Sequence, residues 1–283
     1  VTRSENIEED SIPLLHHAVI KGDLKEVKTL LDNGFDVMSL DFKKETALMQ
    51  ACKADSVNFE MVALLIENGS NILYETTDNF NSAFFICIKK SRDRLIQFLI
   101  EKLTSQQKNF LEANSYYLTF SISANRPKIV KQFIPFQKDL NEPDFFGHSY
   151  LGQAIEVALI HDVFRSSTRD WEGKEKVDFK AAVQIIDLLL SNGADINDPT
   201  DFSLITNHAL QSPAVFGHLV ERGLDLSKSV ESYAEVDEVR IFKILDLFID
   251  KISRGNLFIL QGQEVDVTKI SEYESYLDLL DLM

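Results

Sequence analysis

Between Ala181 and Asn197 the chain reads A-A-V-Q-I-I-D-L-L-L-S-N-G-A-D-I-N, with Val183, Ile186, Leu189 and Leu190 at the spacing of one helix face. The pattern predicts an amphipathic helix stopped at Gly193, where a left-handed residue is needed, before Ala194-Asp195-Ile196-Asn197 turns the chain away. So short a helix cannot bury its stripe alone, and the pattern recurs. Val27 to Val37 reads V-K-T-L-L-D-N-G-F-D-V, Val62 to Ile72 reads V-A-L-L-I-E-N-G-S-N-I, and Phe216 to Leu226 reads F-G-H-L-V-E-R-G-L-D-L. Weaker copies run through Ile96-Gln97-Phe98-Leu99-Ile100 and Val130-Lys131-Gln132-Phe133-Ile134. The helix-ending positions Gly34, Gly69, Leu103, Gln137, Gly193 and Gly223 are separated by 35, 34, 34, 56 and 30 residues. A period near 33 with one long and one short interval is the mark of a stacked solenoid.

The half-unit ahead of each such helix agrees. Pro13-Leu14-Leu15-His16-His17-Ala18 is followed 33 residues later by Thr46-Ala47-Leu48-Met49-Gln50-Ala51. Ser82-Ala83-Phe84-Phe85-Ile86-Cys87 and Ser149-Tyr150-Leu151-Gly152-Gln153-Ala154 hold the same place. These segments resemble the ankyrin repeat family, whose unit carries T-P-L-H-x-A in its first helix and V-x-L-L-L-x-x-G-A-D-V-N at its end. The resemblance covers roughly residues 11 to 250, and His16 alone keeps the motif histidine. It implies an all-α ankyrin-repeat solenoid of about six to seven stacked helix-turn-helix units with projecting hairpin or loop fingers. It also implies that His16 hydrogen-bonds neighbouring backbone.

Taken in order, residues 1–10 read as a flexible acidic lead, 11–250 as the array, and 251–283 as a C-terminal cap or the start of a further domain. Gly22-Asp23-Leu24 turns between the helices of unit one, and Ser56-Val57-Asn58 lengthens that turn in unit two by about two residues. Ser91-Arg92 replaces the glycine turn in unit three, and Pro127 begins the second helix of unit four, where a missing N–H costs little. Lys138-Asp139-Leu140-Asn141 then matches the unit ending. Unit five breaks the period with an insertion at about 156–180: Ile155 to Phe164 and Val177 to Ala182 extend its two helices. The polar stretch between them carries Arg165, Arg169 and Trp171, the chain's one tryptophan. Two readings stand for that loop: Trp171 folds back on the lengthened helices, or it is an interface anchor flanked by arginines. A short unit six spans Phe202 to Leu226, and a degenerate seventh can use Val230 to Val236 and then Ile241 to Ile249. Beyond Gly255, Leu257 to Leu260 and Val265 to Val267 read as a small hairpin, and Ser271 with Glu274 as a capping box.

Composition narrows the functions. An apolar fraction of 45% can bury a core, and no run approaches the roughly 18 apolar residues that span a bilayer. The start is acidic and lacks the apolar core of a secretory signal. It also lacks an initiating Met, which reads as a processed chain or a fragment. A net charge of −16 repels phosphate backbones and anionic lipid, so the expectation is neither nucleic acid nor membrane, but a basic partner. Cys52 and Cys87 fall at small core positions of successive first helices. Packed helices lie about 8–10 Å apart, beyond the roughly 7 Å Cα limit of a disulfide, so free thiols in a reducing, cytoplasmic setting are expected.

Chemistry is sparse. No glycine-rich phosphate loop, His-Glu-x-x-His pair or cysteine cluster stands in the sequence, so neither cofactor nor metal is expected and the chain reads as non-catalytic. His16 and His17 are adjacent, point about 100° apart on a helix, and cannot share an ion.

The fingers are another matter. Asp41-Phe42-Lys43-Lys44, Asp78-Asn79-Phe80, Asn109-Phe110-Leu111, Asp144-Phe145-Phe146 and Asp201-Phe202 hold equivalent places between units. In the ankyrin family, finger tips and inner helices line the concave groove that grips partners. On that resemblance Phe42, Lys43, Phe80, Phe110, Phe145, Phe146 and Phe202, with Arg165, Arg169 and Trp171, are the expected partner-binding residues. The competing reading packs each ring against the next finger. The implied function is a protein–protein interaction module, monomeric alone, taking a basic or aromatic segment of another protein. The alternative is a targeting segment of a larger enzyme, or of a secreted bacterial effector acting in a host cytosol.

Overall fold

Several helices begin where a short polar side chain takes up free N–H groups, as at Asp23, Thr46, Asn58, Ser82, Thr104 and Ser212. The computed structural model describes residues 12–77, 81–144, 147, 149–163, 179–198, 212–224, 259–260 and 263–264. The chain divides into two compact units, Val1–Lys138 and Asp139–Met283, a boundary that falls inside the expected array.

In the first unit, α1 (Leu14–Lys21) and α2 (Leu24–Asp32) form the first pair, α3 (Ala47–Lys53) and α4 (Phe59–Glu67) the second, and α5 (Ala83–Lys89) and α6 (Asp93–Lys102) the third. After α7 (Ser105–Ala113) come α8 (Tyr116–Ser123) and α9 (Pro127–Phe133), closed by a 3₁₀ turn at Ile134–Phe136. Asp23, Asn58 and Ser82 accept the N–H groups of Glu26, Met61 and Phe85, each saving about 1 kcal/mol that an uncapped end would cost. The inner helices α1, α3, α5 and α8 pack in sequence, and within each pair the inner helix packs on the outer one. Leu48, Phe84, Val62, Ile96 and Leu118 are fully buried between them. Each such side chain contributes about 1.5–3 kcal/mol by leaving water.

The turns repeat as well. Gly34 and Gly69 take φ of 80° and 97°, and a Cβ at either would meet nothing within 4 Å, so backbone conformation rather than space selects glycine. Between helices the same left-handed step is taken by Gly22, Ser91 and Asn125, with φ of 73°, 58° and 54°. The next N–H then donates to the inner helix, Asp23 to Ala18, Arg92 to Cys87 and Arg126 to Ser121. Gly22, Ser91 and Asn125 are thus one structural position.

One expected finger is absent. Residues 109–111 lie inside α7, because Thr104 accepts from the Gln107 N–H at 3.3 Å while its own N–H donates to the Gln107 side chain at 3.0 Å. That reciprocal capping box starts a helix, and Leu103, at φ −70°, lacks the left-handed turn that would launch a finger.

In the second unit, α10 (Tyr150–Val163) and α11 (Phe179–Ser191) are the longest helices described, as the insertion requires, and they pack on each other. The buried face of α11 is Ala182, Ile185, Ile186 and Leu189, with Val183 and Leu190 half-covered, so the expected stripe is shifted toward Ile185. Helix α12 (Pro213–Glu221) is capped by Ser212. Asn141 donates to the carbonyl of Gly193 at 3.2 Å, and Asn197 to that of Gly223 at 3.0 Å, tying one unit ending to the next. Strands β1 (Ile259–Leu260) and β2 (Gln263–Glu264) pair antiparallel, so the hairpin exists but closes earlier than Val265. The expected capping box at Ser271, the seventh repeat and the lead at 1–10 lie outside the described residues.

Candidate functional site

The first finger joins α2 to α3 and is built on Asp41. Its Oδ1 accepts the N–H groups of Lys43 and Glu45, each at 2.9 Å. The Asp41 N–H donates to the Glu45 carbonyl at 3.0 Å, the Lys44 N–H donates to the Asp41 carbonyl at 2.9 Å, and Leu40 pairs with Thr46. Lys44 is driven to φ 58° to close this loop, a strained value that the hydrogen bonds sustain. The result is a fixed tip with Phe42 outermost, 54% exposed, and the Lys43 ammonium 5.4 Å from the centre of its ring. Leu40 is exposed beside it.

Glu45 anchors this finger. Its carbonyl accepts from His16 Nε2 at 2.8 Å, as the family resemblance implied. Its carboxylate accepts from Asn81 at 2.6 Å and from Gln50 at 2.9 Å, and it pairs with Lys53. Gln50 also donates to the other carboxylate oxygen of Asp41, at 2.7 Å. In the second unit Gln153 donates to Asp144 at 2.6 Å with the same nine-residue spacing, so the device recurs. The base of the second finger is tied to the first through Tyr74, whose hydroxyl donates to the Lys44 carbonyl at 3.2 Å.

The inner helices present His17, Ile20 and Lys21 from α1, Gln50 and Lys53 from α3, Phe85 and Lys89 from α5, and Tyr116 and Phe120 from α8. Phe85 and Phe120 meet edge-on at 4.9 Å and are half-buried. Beneath them Phe84, Tyr117 and Phe133 form a core cluster with ring centres 5.4–5.7 Å apart. Tyr116 and Tyr117 both donate to one oxygen of Glu75. Burial first, and then the Glu75 carboxylate, pushes the Tyr116 hydroxyl well above its ordinary value; burial, with Tyr116 and Glu75 adding, does the same for Tyr117.

Of the residues singled out from sequence, Phe42 and Lys43 stand at the exposed finger tip. Phe110 does not: it sits on α7, 36% exposed, for the capping reason given above. Phe80, Phe145, Phe146, Phe202, Arg165, Arg169 and Trp171 lie outside the described residues. The inner-helix aromatics Phe85, Tyr116 and Phe120 were missed. Their signal was available in the repeat register, since both segments align with the first helix of a unit. Cys52 and Cys87 are buried and free. Cys87 takes the small position of Ala18 and Ser121, whereas Cys52 sits one residue further on. The two lie on the packed helices α3 and α5. The hydrogen bond from Cys52, with burial next, pushes the Cys87 thiol well above its usual value.

Among the described residues no three His, Cys, Asp or Glu side chains converge as a metal ion would need, and no helix is long and apolar enough to cross a membrane.

Comparison with known proteins supplies the family. A family model for ankyrin repeats, in three copies, matches residues 15–111. No curated protein matches the sequence. Among solved structures, the ankyrin repeat domain of Bcl-3, described as a unique member of the IkappaB protein family, is similar at 19% identity and TM-score 0.57. The match covers 77% of this chain and 89% of that one. EF0377, an ankyrin repeat protein, is similar at 18% identity and TM-score 0.52, over 75% of this chain and 98% of that one. Identities so low carry the fold alone. Ankyrin repeats are in general protein–protein interaction modules, and the fold is typically non-catalytic. With helix pairs stacked in register, a finger tethered through His16 and three copies matched over residues 15–111, that stretch carries ankyrin repeats and the chain has the ankyrin-repeat fold.

Proposed function

We propose that this chain is a non-catalytic interaction module that grips one segment of a partner protein with its finger tips and inner-helix face. The observation that carries this is Phe42, a large ring held outward on a finger whose backbone leaves it no freedom to fold in. Covering such a ring is worth about 1.5–3 kcal/mol, and a fixed backbone removes the ordering cost that a loose loop would charge against it.

The half-buried pair Phe85 and Phe120 extends the apolar surface along the inner helices. Phe80, Phe110, Phe145, Phe146 and Phe202, with Arg165, Arg169 and Trp171, join the proposal on sequence alone, as do a cytoplasmic setting and a monomer in isolation. For the partner, the exposed ring supports an aromatic centre, and the whole-chain charge of −16 favours a partner that is basic overall without setting the charge of the segment it grips.

A photo-crosslinking amino acid at position 42 tests this against the same group at Phe59, an exposed ring on outer helix α4. Adducts to a partner from position 42 and none from position 59 are expected. Equal adducts, or adducts from 59 alone, contradict the assignment of the face.

A further inference from the structure

We infer that the gripped segment is locally acidic around one large apolar residue, and that this residue enters a cavity between the first two inner helices. The inference rests on the interaction reading above and adds the partner's chemistry to it.

Among the described residues of this face the acids are already engaged, whereas three lysines are not. Asp41 and Glu45 are 9% and 4% exposed and spent on holding the finger, and the Glu75 carboxylate is occupied by Tyr116 and Tyr117. Lys43, Lys21 and Lys89 are exposed and have no acidic partner among the described residues. Asp55 is exposed but pairs with Lys90 at 3.5 Å, and Asp23 caps its own helix. Lysines in the last turns of α1, α3 and α5 also answer the helix carbonyls there, yet Lys43 sits on the finger and answers none. The charge of −16 does not decide the contact, because exposed charges further off than about 8–10 Å are screened at ordinary salt.

The cavity follows from the long turn in unit two. Residues 54–58 join α3 to α4, five against the two that join α1 to α2, and the slack opens a space of about 480 Å³. Ile20, Lys21, Gln50, Lys53, Asp55 and Met61 are among the residues that line it. That volume lies in the range of ordinary binding pockets. Its wall mixes apolar side chains with the Lys21 ammonium, which has no acid paired to it among the described residues, and with Lys53 and Asp55, already paired to Glu45 and Lys90. Gln50 and Lys53 also bond Asp41 and Glu45, so finger and cavity share a wall. A segment resting on Phe42 therefore lies along a wall that it shares with this cavity, with Lys43 on the finger and Lys21 at the rim.

Three fluorescein-labelled synthetic peptides decide the matter by anisotropy on the full chain at about 150 mM salt. One alternates Glu and Ser around a central Trp, one has every Glu replaced by Lys, and one has the Trp replaced by Ser. The acidic Trp peptide is expected to bind at least about tenfold more tightly than either other. The double variant Lys21→Glu with Lys89→Glu should remove that advantage with an unchanged melting curve. Ile20→Trp, which fills the cavity and keeps the charge, should weaken the acidic Trp peptide alone. Equal or tighter binding of the Lys peptide, no binding of any peptide, or indifference to the lysine pair overturns the inference. Adducts from position 42 would still uphold the interaction reading in each of those cases, whereas their loss would sink that reading by itself.

Discussion

His16 Nε2 lies 2.8 Å from the carbonyl oxygen of Glu45, a bond between the first inner helix and a finger 29 residues away. A carbonyl can only accept, so this nitrogen carries the proton. The ring is fully buried, and no water competes for the bond. Glu45 thus meets unit one through its main chain and Asn81 of the next finger through its side chain. The finger that displays Phe42 is held from both sides.

Replacing His16 by Ala leaves the Glu45 carbonyl buried without this donor and is expected to cost about 1–3 kcal/mol. His17, one residue on and exposed, should change stability by no more than about 0.5 kcal/mol on the same replacement. Urea denaturation of the two variants checks this; equal losses would contradict the tether.

Two glycines six positions apart, one in α12 and one in the turn after it, should respond with opposite sign. Gly217 is inside the helix, and a Cβ there meets nothing within 4 Å, so Gly217→Ala should add about 0.5–1 kcal/mol. Gly223 holds φ 99°, and Gly223→Ala should remove about 1–2 kcal/mol. Thermal melts of the pair decide it, and a shared direction would mean the turn is not as described.

The thiols should be silent until the array opens. Cys52 and Cys87 are buried, and the Cys87 thiol is held protonated by its hydrogen bond with Cys52 and by burial. Native protein at neutral pH is expected to resist a thiol reagent, and unfolded protein to take up label at both residues. Rapid native labelling would contradict the packing of α3 on α5.

Alkali should destabilise the first unit through its tyrosines. The hydroxyls of Tyr116 and Tyr117 are raised in the folded state, whereas unfolded tyrosine ionises near about 10. Their contribution is whole below that pH and is lost as pH climbs above it, because the unfolded chain then sheds protons that the folded one keeps. Tyr116→Phe with Tyr117→Phe should flatten the fall in stability above about pH 10. An unchanged slope in denaturant titrations would contradict it.

Much of this was legible in the sequence because the repeat writes its turns in residue types. Gly34, Gly69, Gly193 and Gly223 mark left-handed steps, and the Asp41-Phe42 pair marks a turn-forming carboxylate beside a displaced ring. Two things were harder to read. Thr104 and Gln107 form a capping box that overrides the period, so Phe110 became helical. The charge of the site depends on which acids are already occupied, and Glu45 is paired with Lys53 and hydrogen-bonded by Gln50 and Asn81, five to 36 residues away. Net charge could not show that, since it counts Glu45 and an exposed Lys21 alike.

The most direct measurement takes Phe42→Ala in the full chain and reads two quantities from one preparation, melting temperature and the amount of partner captured beside the unaltered protein. Capture cut by about tenfold with a melting temperature within about 2 °C is the expected result. Undiminished capture, or a fall of many degrees in melting temperature, would contradict the claim that this finger holds its ring out for another protein.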